Sequence, residues 1–277
     1  MGDDMLSGTL RKMRAELGAG NHANEVNYFL PVGKHSLPLN PLVGEKLTLE
    51  FLGNIICKNC GKQTKKSFSQ GFCFPCMRRL ARCDMCILKP ETCHYHLGTC
   101  REPEWGEKNC FVPHFVYLSN TSGLKVGITR HTQIPTRWID LGATQATIMF
   151  RVENRRQSGL VETAFKELIA DKTNWRTMLK ENQPDMDLLT EAEELKARLN
   201  LNTDHISADL PEEPIEDQDG HITSIKYPVL EFPKTIRSHN FDKNPLVEGT
   251  LMGIKGQYLI FDTGVINIRK FSSYEVA

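Results

Sequence analysis

Nine cysteines lie between Cys57 and Cys110, and their spacing is the strongest chemical signal in the chain. Cys57-x2-Cys60 is followed, after twelve residues, by Cys73-x2-Cys76. A CxxC turn sets two thiolates on one side of a tight knuckle, and two such knuckles close a tetrahedron around Zn²⁺. Gly61 and Gly71 sit where knuckles need unusual backbone angles. Four cysteines at this spacing argue against ordinary core packing. No thioredoxin-like βαβ pattern surrounds either pair, which argues against redox chemistry.

A second cluster follows. Cys83-x2-Cys86 repeats the knuckle, and Cys93, His94, His96, Cys100 and Cys110 are the remaining soft donors. Cys93 and Cys100 are the favoured partners for a second zinc. The alternative is one zinc, with the later cysteines packed as small apolar groups. Each site has four protein ligands available and no open position, so both read as folding devices and not as catalytic metals. Nine basic residues against two acidic ones fall between Cys57 and Arg101. Among them, Lys65, Lys66, Arg78 and Arg79 are candidate phosphate contacts, although a solvated or protein-binding face would look the same. Residues 181–231 are the opposite, with fourteen acidic residues against three basic ones, and could dock a basic protein partner or mask the ribbon.

The cysteine region lacks apolar periodicity, so other elements must support it. Residues 26–32 and 47–56 read as strands, as do 247–254, 257–262 and 265–269, and the two β-rich ends are expected to pair. Between them, Phe115–Leu118 and Leu124–Thr129 form an expected hairpin across Asn120-Thr-Ser-Gly123. Pro135 and Gly142 bracket a short helix carrying Arg137. Residues 144–152 form a third strand, and Ser158 caps a helix with an apolar stripe from Leu160 to Ile169. The order is β-β-α-β-α. On the hairpin, Tyr117 and Lys125 share a face that Arg137 and Glu162 can approach. Residues 186–199 read as a helix, and 210–220 as an exposed loop.

Phe115-Val-Tyr117, followed by Lys125-Val-Gly-Ile-Thr129, then Arg137 and Glu162, resembles the ordered motifs of the GIY-YIG endonuclease superfamily over about 65 residues. That resemblance implies phosphodiester cleavage. Glu162 would hold Mg²⁺ or Mn²⁺, Arg137 would stabilise phosphate charge, Tyr117 would help activate water, Lys125 would stand where the family has a tyrosine, and Asn174 would serve as its late asparagine. Phe115 replaces the family's first glycine, and the spacer between motifs is short. These departures bear on catalysis more than on fold. Taken singly, Glu162 can be a helix-surface residue paired with Lys166, Tyr117 a half-buried strand residue, and Arg137 a surface group.

Over nearly its full length the chain also resembles a bacterial domain family of unknown function that joins a cysteine-rich zinc ribbon to a divergent GIY-YIG-like domain. Gly98-Thr-Cys-Arg-Glu-Pro-Glu-Trp105, Arg137-Trp-Ile-Asp140, Lys172-Thr-Asn-Trp175 and Gly253-Ile-Lys-Gly-Gln-Tyr-Leu259 carry that resemblance. The expected class is α+β: a β-rich segment at 1–56, the zinc region at 57–110, a GIY-YIG-like unit at 111–180, an acidic helical linker at 181–240 and a β-rich segment at 241–277. The expected function is a zinc-containing, DNA- or RNA-binding protein that is either a metal-dependent nuclease or a non-catalytic adaptor. No apolar run reaches membrane-spanning length and the first residues lack an apolar signal core, so the expected location is a reducing cytoplasm.

Overall fold

A computed structural model describes residues 6–169, 174–200, 216–217 and 220–277 of the chain. The first strands are β1 (Gly8–Thr9), β2 (Arg14–Leu17), β3 (Val26–Val32), β4 (His35–Pro38) and β5 (Lys46–Ile55). The cysteine region carries two short helices, α1 (Phe74–Arg79) and α2 (Pro103–Asn109), joined by successive 3₁₀ turns. There follow β6 (His114–Asn120), β7 (Leu124–Arg130), α3 (Thr136–Leu141), β8 (Gln145–Val152) and α4 (Arg155–Lys166), then α5 (Trp175–Met178) and α6 (Leu188–Asn200). Two short strands, β9 (Glu216–Asp217) and β10 (Thr223–Ser224), precede the closing β11 (Leu246–Lys255), β12 (Tyr258–Phe261), β13 (Gly264–Asn267) and β14 (Tyr274–Val276).

The two ends of the chain build one sheet. Its order is β1-β14-β5-β11-β12-β13, so β5 from the first quarter of the chain lies between β14 and β11 from the last. Val247 pairs with Leu49 and Val276 with Phe51. A smaller sheet, β2-β3-β4, packs against it through a core holding Leu10, Tyr28, Leu30, Leu251, Ile254 and Phe271, all but excluded from solvent. Neither end has enough strands to cover an apolar face alone, and together they do.

The middle sheet runs β10-β8-β6-β7, with β9 also on β8. One face, with Tyr117, Ala146 and Ile148, joins the core of the terminal sheets. The other, with Val116, Leu118, Val126 and Met149, is covered by Val161 and Phe165 of α4 and by Leu188, Ala192 and Leu195 of α6. Both faces of β6 are covered, so it is buried almost throughout, and the period of two in a strand sends alternate side chains to the two cores.

The helix expected at 186–199 is α6 (Leu188–Asn200), which buries an apolar stripe on the middle sheet, and β9 and β10 extend that sheet at β8. The proposed exposed loop at 210–220 lies mostly outside the described residues. Ser158 is not the helix cap. Asn154 is, through a capping box in which its side chain accepts from Gln157 N while the Gln157 carboxamide accepts from Asn154 N. The helix therefore starts earlier than expected and Glu162 falls within its body. Among the described residues, no helix is long and apolar enough to cross a membrane.

Leu251 lies at the centre of the shared core. Leu251→Ala is expected to cost about 2–5 kcal/mol of unfolding free energy, measured by denaturant titration; a change within error would contradict a core built from both ends.

Candidate metal centre and cationic cleft

The four sulfurs of Cys57, Cys60, Cys73 and Cys76 all lie within 4.8 Å of one another. Thiolates about 2.3 Å from a central ion stand about 3.8 Å apart at tetrahedral angles, and the Cys60 and Cys73 sulfurs are 3.7 Å apart. The donor set and spacing fit a structural metal ion such as zinc. The local chain explains the convergence. Cys57 N donates to Lys62 O and Gly61 N to Cys57 O, which closes the first knuckle around left-handed Gly61 (φ +68°). Cys73 caps α1, with Pro75 in the first turn, and Met77 N donates back to Cys73 O. Phe72 and Leu80 pack around the sulfurs, and the Lys58 ammonium lies 4.1 Å from the Phe72 ring centroid.

The thiols are unequal. Burial opposes ionisation of Cys57, but amides of Cys60, Cys73 and Asn59 directed at its sulfur bring its pKa down to about 6. Burial pushes Cys76 up to about 12, against a hydrogen bond from Asn59 Nδ2 at 3.4 Å. The cluster is tied to the terminal sheet: Ser273 Oγ donates to Gly71 O, and Arg269 Nε donates to Gln70 Oε1 at 2.6 Å.

The expected second set is rearranged. Asp84 is extended between two 3₁₀ turns that carry Cys83 and Cys86. Cys83 packs beside the first cluster, with Met77. Cys86 instead groups with Asp84 and His94. Burial, Asp84 and the half-buried Cys93, Cys110 and Cys100 raise the Cys86 thiol to about 11.

Beside this region lies a cleft of about 470 Å³. Among the described residues, Lys12, Arg130, Arg137, Arg155 and Arg269 line it, against two carboxylates, Asp140 and Glu162. Asp140 is already engaged by Lys12 at 2.7 Å and by Gln257 Nε2 at 2.8 Å. Glu162 meets Lys166 at 3.3 Å. Burial works against the Arg137 charge, but Tyr117, Asp140 and Glu162 hold its pKa above the ordinary value. Burial and the neighbouring Arg137 lower both Arg155 and Arg269. Cations pressed together this way favour an anion between them.

The sequence motif is only partly assembled. Arg137 and Glu162 face the same cleft. Tyr117 is fully buried and its hydroxyl has no hydrogen-bond partner among the described residues, with burial raising its phenol and the nearby Arg137 charge opposing that rise. The Tyr117 ring occupies the space above its cross-strand partner Gly127, where a Cβ would come within 2.6 Å. Lys125 pairs with Ser119 further along the hairpin and does not line the cleft. Asn174 caps α5, accepting from the backbone of Arg176 and Thr177. Lys65, Lys66, Arg78 and Arg79 are exposed on the metal-bearing segment. Sequence reasoning missed Lys12, Arg130, Arg155 and Arg269, which no local motif links.

Fold and site together define an α+β protein with a metal-capable four-cysteine cluster. The chain matches the family described as "Protein of unknown function (DUF2797)" over residues 44–276 and belongs to it. No curated protein and no solved structure matches it.

Cys73→Ser is expected to lower bound metal by about one ion per chain and to open residues 57–80 to protease, as read by elemental analysis and limited proteolysis. Full metal retention would contradict this ligand set. Gly127→Ala should destabilise by about 1–3 kcal/mol, because Tyr117 and its neighbours must shift; thermal unfolding measures this, and an unchanged midpoint would contradict the close approach.

Proposed function

We propose that this chain is a zinc-containing nucleic-acid-binding protein whose cleft cleaves phosphodiesters with a divalent metal. The observation that supports this reading is the shared cleft of Arg137 and Glu162, framed by four further cations. An excess of guanidinium groups suits a phosphate, which accepts paired hydrogen bonds from arginine. Glu162, paired with Lys166 at 3.3 Å, would exchange that pairing for a metal, while Asp140 is held at shorter range by Lys12 and Gln257. A single carboxylate fits Mg²⁺ or Mn²⁺, which retain water ligands and, when bound, supply charge at the scissile phosphate. Arg137 stabilises negative charge on the phosphate. The GIY-YIG resemblance adds weight through the β6-β7-α3-β8-α4 order and the positions of these residues. Lys65, Lys66, Arg78 and Arg79 would extend the contact along the strand, and the zinc cluster would carry them.

A second reading, binding without cleavage, is favoured by one observation. Tyr117 is buried, while Lys125 and Asn174 lie off the cleft, so fewer motif groups can act on water.

One experiment separates the two readings. Single- and double-stranded DNA and RNA are incubated with the protein and Mg²⁺ or Mn²⁺, and binding is followed as a function of salt. Cleavage by the wild type, reduced at least about 100-fold in Arg137→Ala and Glu162→Gln without a change in unfolding midpoint, is expected. Failure to cut any substrate with either metal rejects the nuclease reading. Salt-dependent binding that weakens in Arg137→Ala would then support the non-catalytic one. Binding unaffected by Arg137→Ala rejects the cleft as the contact.

A further inference from the structure

Residues 84–112 fold without contributing to any apolar cluster found among the described residues. The segment consists of 3₁₀ turns at Met85–Ile87, Pro90–Thr92 and Tyr95–Leu97, followed by α2. Turns of this length have no stability of their own and need a cross-link. We propose that Asp84, Cys86 and His94 hold a second metal ion, of the zinc class, that fixes this segment as the wall of the cleft.

The three donor atoms lie within 4.8 Å of one another. His94 is set up as a ligand. The Thr99 hydroxyl donates to His94 O at 3.2 Å, so its oxygen accepts the proton on His94 Nδ1, 2.7 Å away. That leaves Nε2 with its lone pair, directed toward Asp84 Oδ2 at 3.5 Å. A metal-bound imidazole is oriented in the same manner, with its second nitrogen donating to a fixed acceptor. Asp84 is held in turn by Met85 N at 2.6 Å and by Arg101 Nε at 2.7 Å. Arg101 also donates to Met77 O and Leu80 O, beside the four-cysteine cluster. Sulfur, imidazole and carboxylate together suit a borderline cation such as Zn²⁺. The neighbouring thiols of Cys93, Cys100 and Cys110 are the soft donors available for a fourth position.

The placement has a consequence for the cleft. Ile87, which follows Cys86, accepts a hydrogen bond from Arg155 Nη2 at 2.6 Å, and Ile87 and Leu88 line the cleft. Pro90 lies against Gly159 of α4, where a Cβ would come within 2.7 Å of it. A metal at Cys86 therefore fixes the peptide that orients Arg155. This inference does not depend on what the cleft does.

The test counts metal. Full-length protein purified with zinc is expected to carry about two ions per chain, falling to about one in Cys86→Ser and in His94→Ala. In Co²⁺-loaded protein, His94→Ala should remove the weaker, sulfur-poor absorption and leave the intense thiolate-to-cobalt band of the four-cysteine site. If Cys86→Ser does not fold, His94→Ala, which replaces a partly exposed side chain, decides the question. A wild type holding one ion, or His94→Ala retaining two, overturns the proposal and leaves Asp84 and His94 as a plain ion pair.

Discussion

The convergence of four sulfurs at Cys57, Cys60, Cys73 and Cys76 is the contact on which the rest of the site depends. Between β5 and β6 the chain has little with which to build a core: apart from Phe72, Leu80 and half-buried Met77, the side chains at its centre are cysteines. Uncharged, that centre is a poor substitute for an apolar core. Bridged by a metal, it becomes a rigid knot, because coordination supplies the folding free energy that apolar burial does not. The knot is fastened to the terminal sheet through Ser273 and Arg269, and the following turns lie against α4 at Pro90 and Gly159.

That fastening brings the cleft together. Its cations come from all parts of the chain: Lys12 from the start, Arg130 and Arg137 from the middle hairpin and the helix after it, Arg155 from α4, and Arg269 from near the end. Each would repel the others in a loose assembly, and their proximity is maintained by neutral acceptors. Arg130 donates to Asn109 Oδ1 at 2.7 Å, Arg155 to Ile87 O and Arg269 to Gln70 Oε1. Two of these three acceptors lie in the cysteine-rich region between α1 and β6 or next to it, and the third, Gln70, lies between the two knuckles. The metal-bearing segment thus sets the direction of the charged groups, and the β-rich ends supply a frame that does not yield.

Local chemistry was legible in the sequence, and long-range assembly was not. The strand at Val26–Val32, the hairpin around Asn120–Gly123 and the Pro135–Gly142 helix were readable because strand period and turn residues act within a few positions. So was the four-cysteine set, since ligand spacing is itself a local pattern. The pairing of β5 with β11 and β14 could be anticipated only from the shortage of strands at each end. CxxC spacing did not reveal that Cys86 groups with Asp84 and His94 while Cys83 packs beside the first cluster. Tyr117 shares its face of the sheet with the Arg137 helix, whereas α4, which carries Glu162, packs on the other face; the depth of Tyr117 is set by Gly127 and Trp138, and no strand pattern reports that depth. Arg155 and Arg269 carried no signal because their role exists only once four distant segments meet.

Hydrogen exchange on the metal-loaded protein and on the same protein after chelation tests the central claim most directly. The account predicts that amides in residues 57–112 lose protection when metal leaves, while β11 to β13 keep theirs. Unchanged protection across residues 57–112 in metal-free protein would contradict it.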